Sequence, residues 1–270
     1  MLTLANVIWG ARCGKSARRV LLGETRSSGH AYSVRGARES AALRQAPHGL
    51  PSSRLVSTIL LDLWIEQWRR TKAKGDVLVV RFADDFVAGF QHRREAERLL
   101  EELRERFAKF GLKLHPEKTR LIEFGRFATA DRKARGEGKP KTFNFLGFTH
   151  CCGTDRSGKF TVIRTTMRQR MLTKLKEVNL ELRRRRHQPV DEQGRYVRAL
   201  IGGHVRYYGV PFNSGAIRAF RAMVVRLWKK WLSRRSQRGY LRWDRMTCYI
   251  DRWVPPAIIC HPYPSARFGG

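Results

Sequence analysis

A chain of 270 residues with 42% hydrophobic content can build one large domain or two modest ones around a real core. Lysine and arginine total 55 against 23 aspartates and glutamates, a formal charge of +32, and such an excess repels itself in the folded state unless a polyanion meets it. No apolar run reaches the length of a membrane-spanning helix, and the basic stretches interleave with Trp and Tyr, which favours nucleic acid over a membrane surface.

Residues 1–52 differ from the rest of the chain: they are rich in Arg, Ser, Gly and Ala, with Glu24 and Glu39 as their acids. They read as an atypical leader, poorly ordered on its own. A mitochondrial transit segment and a basic RNA-binding arm are the other readings. Gly10-Ala-Arg-Cys-Gly-Lys-Ser16 is one residue short of a phosphate loop, and no clear strand reads before it, so a phosphate-loop role is not expected. Cys13, Cys151, Cys152, Cys248 and Cys260 are scattered and odd in number, which argues against both a zinc site and a disulfide framework.

From Leu55 to Arg70, apolar residues recur at three- and four-residue intervals, predicting a helix. Val77-Leu-Val-Val80 and Phe86-Val-Ala-Gly-Phe90 then read as two strands around a charged turn, Arg81 to Asp85. Residues 92–110 carry the best helical stripe (Ala96, Leu99, Leu100, Leu103, Phe107, Phe110), with Gly111 placed to cap it. A short strand at Leu112 and Leu114, a His115-Pro-Glu turn and a further apolar segment ending at Phe124 come next. Residues 128–141 read as a polar loop, and residues 142–148 with 160–163 as a second hairpin. Beyond Thr165 the pattern is helical to about Trp253, with breaks at residues 187–189 and 209–213. Gly202-Gly203 interrupts it, which suggests close backbone approach or a helix break.

Two acids side by side at the end of an apolar hairpin need an explanation, because like charges held together cost free energy unless a cation offsets them. Phe82-Ala-Asp-Asp85 is such a pair, and carboxylates at a rigid sheet edge suit a divalent cation. Phosphoryl-transfer enzymes hold two Mg²⁺ ions about 4 Å apart in this way. A solvated Asp-Asp turn is the plain alternative.

Phe82-Ala-Asp-Asp85, then Gly111-Leu-Lys-Leu-His-Pro-Glu-Lys-Thr119, then Phe145-Leu-Gly-Phe148 resemble, in order and spacing, the palm of group II intron-encoded reverse transcriptases. The resemblance runs from about residue 53 onward. It continues through Gly202-Gly-His-Val-Arg-Tyr-Tyr-Gly209, Leu227-Trp-Lys-Lys-Trp-Leu-Ser-Arg-Arg-Ser236 and His261-Pro-Tyr-Pro, which look like the thumb and maturase region. It implies an α+β fold: a partial reverse-transcriptase palm of β-hairpins and helices at 53–165, then an all-α basic thumb/maturase RNA-binding domain at 166–270. By position, Asp84 and Asp85 would be the catalytic, metal-side carboxylates, with Mg²⁺ as cofactor if the polymerase site is completed. Lys118 would position or protonate the departing pyrophosphate, unless it is a plain surface lysine. Phe145, Leu146, Gly147 and Phe148 would line the primer side.

The same comparison exposes gaps. The family's upstream palm Asp and its Gln-Gly-Gly-x-x-Ser-Pro segment have no counterpart. Asp62 lies inside the first helix pattern, and Gln45-Ala-Pro-His-Gly-Leu-Pro-Ser-Ser53 is a scrambled echo. Some 50 leader residues also leave no room for fingers. The expectation is an RNA-directed DNA polymerase by family whose site is incomplete, since losing a single element that stabilises transition-state charge already costs roughly 10²–10³ in rate.

Residues 161–240 hold 20 Lys and Arg against four acids, half the net charge in under a third of the chain. Ile217, Phe220, Val224, Leu227, Trp228 and Trp231 form one helix face, and basic residues fall largely elsewhere. Arg183, Arg184, Arg185 and Arg186, with Arg206, Lys229, Lys230, Arg234 and Arg235, are therefore candidate RNA contacts, although the Arg run also suits a localisation signal. Tyr207 and Tyr208 either stack bases or pack a helix end. The expected partners are structured intron RNA, an RNA/DNA hybrid, and a second chain or dimer copy supplying the missing palm, with no membrane. The expected location is a bacterial-type cytoplasm, or an organelle. A non-catalytic maturase module and an inactive mobile-element remnant remain open alternatives.

Overall fold

Alternation and helical periodicity place the first sheet and its two helices. The computed structural model describes residues 4–9, 52–82, 85–109, 114–115, 119–236 and 239–263. Contacts divide the chain into two units, Met1–Leu121 and Ile122–Gly270.

In the first unit, strands β2 (Val77–Phe82) and β3 (Asp85–Phe90) pair antiparallel from Val77↔Phe90 to Phe82↔Asp85. The expected charged turn is thus shorter than its sequence suggests: Arg81, Phe82 and Asp85 are strand residues. Arg81 can stay in the strand because its guanidinium pairs with Asp62 at 2.8 Å.

Strand β1 (Leu4–Trp9) runs parallel to β3, and the sheet order with β4 (Thr119–Glu123) is β2-β3-β1-β4. This corrects the reading of residues 1–52 as wholly a leader, because a β-branched, apolar segment there is a central strand. It also removes one of the two grounds against the phosphate loop, since a strand does precede Gly10. The spacing ground stands. A six-residue strand whose partner lies some eighty positions on leaves no local signature.

Alternation puts Val77, Val79, Arg81, Phe86, Ala88 and Phe90 on one face of the sheet. Helices α1 (Ser52–Thr71) and α2 (Arg93–Lys109) cover that face, burying Ile65, Trp68, Leu99, Leu103 and Phe107 against it. Each such side chain contributes roughly 1.5–3 kcal/mol of burial, and Leu103→Ala would open a cavity costing about 2–5 kcal/mol. Trp68 also donates its indole N–H to Glu102 at 2.9 Å and meets Phe90 edge-on. This aromatic anchor thereby ties α1 to both α2 and the sheet.

The second unit begins with a device the sequence hid. Residues 128–141 are not all loop: Ala128–Ala134 form helix α3. Glu123, nearly buried, pairs with Arg135 at 2.5 Å and lies 3.7 Å from Arg132, and Glu137 binds both arginines, so ion pairs rather than apolar spacing hold the segment. The expected second hairpin is a three-stranded antiparallel sheet, β5 (Phe143–Phe145), β6 (Phe148–Thr154) and β7 (Phe160–Thr166). Leu146 and Gly147 join β5 to β6 with φ of 49° and 79°, the paired positive values of a tight hairpin turn.

Four helices complete the unit: α4 (Arg168–Arg184), α5 (Val190–Tyr208), α6 (Ser214–Leu232) and α7 (Trp243–Trp253). The breaks at 187–189 and 209–213 are as expected, and a further break separates α6 from α7. Val178, Leu182, Val197, Ile201, Phe220, Val224, Trp228 and Met246 form the core between them. Gly202 and Gly203 neither break α5 nor let another described segment approach, because a Cβ at either meets nothing within 4 Å. Seven helices and two sheets among the described residues make a mixed α/β chain compatible with a partial palm.

Candidate functional site

Asp85 opens β3 beside the two-residue link to Phe82, and alternation turns it away from α1 and α2. Phe82 shares that face and is 64% exposed, while Val87, two residues on, is buried. Asp85 is therefore half-buried at the margin between core and open edge, with hydrogen-bonding or electrostatic company of its own. Asp84 and Lys118 lie outside the described residues.

The neighbouring strand decides what this edge can hold. Leu4 pairs with Asp85, and β1 reads Leu-Ala-Asn-Val-Ile-Trp, without a carboxylate. Asp62, on α1, belongs to the opposite face, where Arg81 occupies it. Burial raises the Asp62 carboxyl and the Arg81 charge opposes that rise. Among the described residues no group of three or more His, Cys, Asp or Glu could hold a metal ion. The described donors do not fit a two-Mg²⁺ site.

In the second unit, Phe145 and Phe148 are buried in the β5–β6 hairpin. The turn between them is held by α5 and by the entry to α4. Tyr207 donates its hydroxyl to the Leu146 carbonyl at 2.8 Å, and the Met167 N–H donates to the Gly147 carbonyl at 3.0 Å. Tyr207 lies nearly parallel to Phe148 with centroids 5.7 Å apart, and Tyr208 meets Phe148 edge-on at 5.1 Å. A Cβ on Gly147 would come within 2.8 Å of the Tyr208 hydroxyl, so glycine is required by space as well as by φ. Both tyrosines thus pack a helix end against the hairpin, and Tyr207 keeps about half of its surface in solvent.

The basic residues divide by geometry into buried or half-buried braces and exposed heads. Arg185 pairs with Glu181 and lies over the Tyr196 ring at 4.8 Å. Arg235 donates to the carbonyls of Arg186 and Gln188. Lys229 is 9% exposed, with its ammonium over the Tyr240 and Trp243 rings. These three do not belong to the solvent-facing set expected of them, because their charges are engaged by helix ends and rings. Arg183, Lys230 and Arg234 surround Trp231 at 6.0, 5.1 and 5.8 Å, while its indole N–H is fixed by Asn179 at 2.9 Å. Arg183, Arg206, Lys230 and Arg234 are exposed, Arg184 is exposed but pairs with Glu181 at 2.8 Å, and Arg186 is half-buried beside His187. Cations near the C-terminal ends of α4 and α6 also offset the helix dipoles, but that contribution is only about 0.3–1 kcal/mol each.

Two buried amides that periodicity alone could not single out hold this elbow in place. Gln193 donates to the carbonyls of Arg185 and Gln188 at 2.9 and 3.1 Å and accepts from the Trp228 indole at 3.1 Å. Asn213 donates to the Tyr208 carbonyl and the Thr166 hydroxyl, and accepts from the Thr166 N–H at 3.0 Å. Both are marked in sequence only by a polar residue beside a helix start. Cys151, Cys152, Cys248 and Cys260 are free thiols. Burial pushes Cys152 up to about 11, so it is a poor nucleophile at neutral pH. No described helix is long and apolar enough to cross a membrane.

Against known proteins, the family model described as reverse transcriptase (RNA-dependent DNA polymerase) matches residues 15–150. The match starts well upstream of residue 53, inside the segment whose composition suggests a leader. No curated protein and no solved structure matches the chain.

Proposed function

Because the chain belongs to the reverse transcriptase (RNA-dependent DNA polymerase) family, we propose that it is a group II intron reverse transcriptase/maturase-like protein that binds structured intron RNA and does not polymerise DNA unaided. The ordered motifs from Phe82-Ala-Asp-Asp85 to Leu227-Trp-Lys-Lys-Trp231 support the group II branch. Residues 53–165 are the palm portion in this reading and 166–270 the thumb/maturase portion.

The single observation behind the incomplete site is the pairing of Leu4 with Asp85, which puts a strand without carboxylates next to the acid edge. Mg²⁺ belongs only to a site completed with a carboxylate that the described residues do not supply. A polymerase completed by a partner chain, working on an RNA/DNA hybrid, is the second reading. It is favoured by Asp85 standing on the sheet face away from the helices.

The RNA-binding claim is tested by titrating intron RNA and an unrelated structured RNA with the purified chain over a range of salt. Log affinity falls linearly with log salt, and each of Lys230→Ala and Arg234→Ala lowers the slope by about 1. Binding that ignores salt, or that treats the two RNAs alike, contradicts the proposal.

A further inference from the structure

Lys229, Tyr240 and Trp243 make an arrangement that the packing of the helices does not account for. Tyr240 is 73% exposed and Trp243 49%, yet neither ring is loose. The Lys229 ammonium lies over both, 4.6 and 5.0 Å from their centroids, and it has no carboxylate partner among the described residues. The backbone between the rings is fixed as well. Leu241 turns inward, half-buried against the core, its N–H donating to the Ser233 hydroxyl at 3.1 Å, and Met246 is fully buried one turn into α7. Two largely exposed aromatic rings thereby share one nearly buried cation, which draws on the π-electron density of both.

Rings polarised in this way are good stacking partners for electron-rich nucleobases, and every base presents a face. The charged surroundings select the ligand further. Arg242 is 81% exposed with only a 3.7 Å approach to Asp244, and Arg245 is also exposed. A duplex hides its base faces in its own stack, so only unpaired nucleotides can use such a surface.

We propose that Tyr240 and Trp243 form a stacking platform for unpaired bases of single-stranded RNA, with Arg242 and Arg245 meeting the adjoining phosphates. The proposal rests on the RNA-binding function proposed for the chain and adds to it a second, strand-selective surface distinct from the cations around Trp231.

The test measures binding of the full chain to a labelled oligoadenylate and to an RNA duplex at one salt concentration. Tyr240→Leu, at so exposed a position, leaves the chain cooperatively folded and weakens oligoadenylate binding by about tenfold, the size of one base–aromatic stack. Duplex binding is unaffected, and Tyr240→Trp retains wild-type affinity. In parallel, oligoadenylate quenches the intrinsic tryptophan fluorescence, and Trp243→Phe removes that quenching while keeping a ring in place. Wild-type oligoadenylate affinity in folded Tyr240→Leu, an equal loss on the duplex, or quenching that survives in Trp243→Phe would overturn the platform. If the chain binds duplex but not oligoadenylate, the platform alone fails. If it binds neither, the RNA-binding function fails with it.

Discussion

Replacing His150 with phenylalanine should flatten the acid side of the stability profile. His150 is buried in the three-stranded sheet, stacked on Phe143 with centroids 4.8 Å apart and planes within 4°, and its Nδ1 has no hydrogen-bond partner. Burial drives its pKa down from 6.5 to about 4, and the charge of Arg164, its partner on β7, adds to the fall, against opposing hydrogen bonds that the ring donates to the Phe148 and Phe143 backbone. Below 6.5 the unfolded chain takes up a proton that the folded chain refuses until about 4. The imidazole's contribution to stability is therefore whole above 6.5 and is lost as pH falls toward 4. That interval corresponds to roughly 3 kcal/mol at its end. Phenylalanine keeps the stack, removes the orphaned nitrogen and does not titrate. Urea unfolding of wild type and His150→Phe at neutral pH and near pH 4 isolates the effect, since every other titrating group is common to both. The variant should gain about 2–3 kcal/mol on wild type between the two conditions. Parallel profiles for the two proteins would refute the assignment of a neutral, desolvated imidazole.

Asn213→Ala strands the buried Thr166 N–H and the Tyr208 carbonyl, so urea unfolding should show a loss of about 1–3 kcal/mol. An unchanged midpoint would mean that water replaces the amide. Gly202→Ala and Gly203→Ala add a Cβ into open space on an unbroken helix and should each stabilise by up to about 1 kcal/mol in thermal unfolding. If stability rises while RNA affinity falls, the glycines serve backbone approach by RNA. Burial also holds the His204 imidazole down at about 4, so in a His150→Phe background the remaining acid sensitivity between 6.5 and 4 should diminish again in His204→Phe.

Elements with their own periodicity were legible in the sequence. The stripe from Ala96 to Phe107 predicts α2, and the pattern Ile217, Phe220, Val224, Trp228 predicts α6 and its buried face. What escaped depends on partners remote in sequence. Strand β1 needs β3 to be a strand at all, and α3 is held by Glu123 through arginines, a charge pattern that reads as a solvated loop. At the site, the Asp pair was visible because acids at an apolar hairpin end are costly. Asp85's membership of the strand, which decides the face it occupies, is visible only in the register. Charge counting found the basic half but could not sort it. Lys229 and Lys230 are adjacent and identical in type, yet one is packed beneath two rings and the other reaches solvent, because a helix turns by about 100° per residue. Tyr240 and Trp243 were missed for the related reason that only geometry reveals a shared cation.

Primer extension on an RNA template, with the purified chain, Mg²⁺ and deoxynucleotides, tests the central claim most directly. The pairing of Leu4 with Asp85 predicts no product above background, in a preparation that still binds RNA. Extension that requires Mg²⁺ and disappears in Asp85→Asn would contradict it, for the acid edge would then be a working polymerase site.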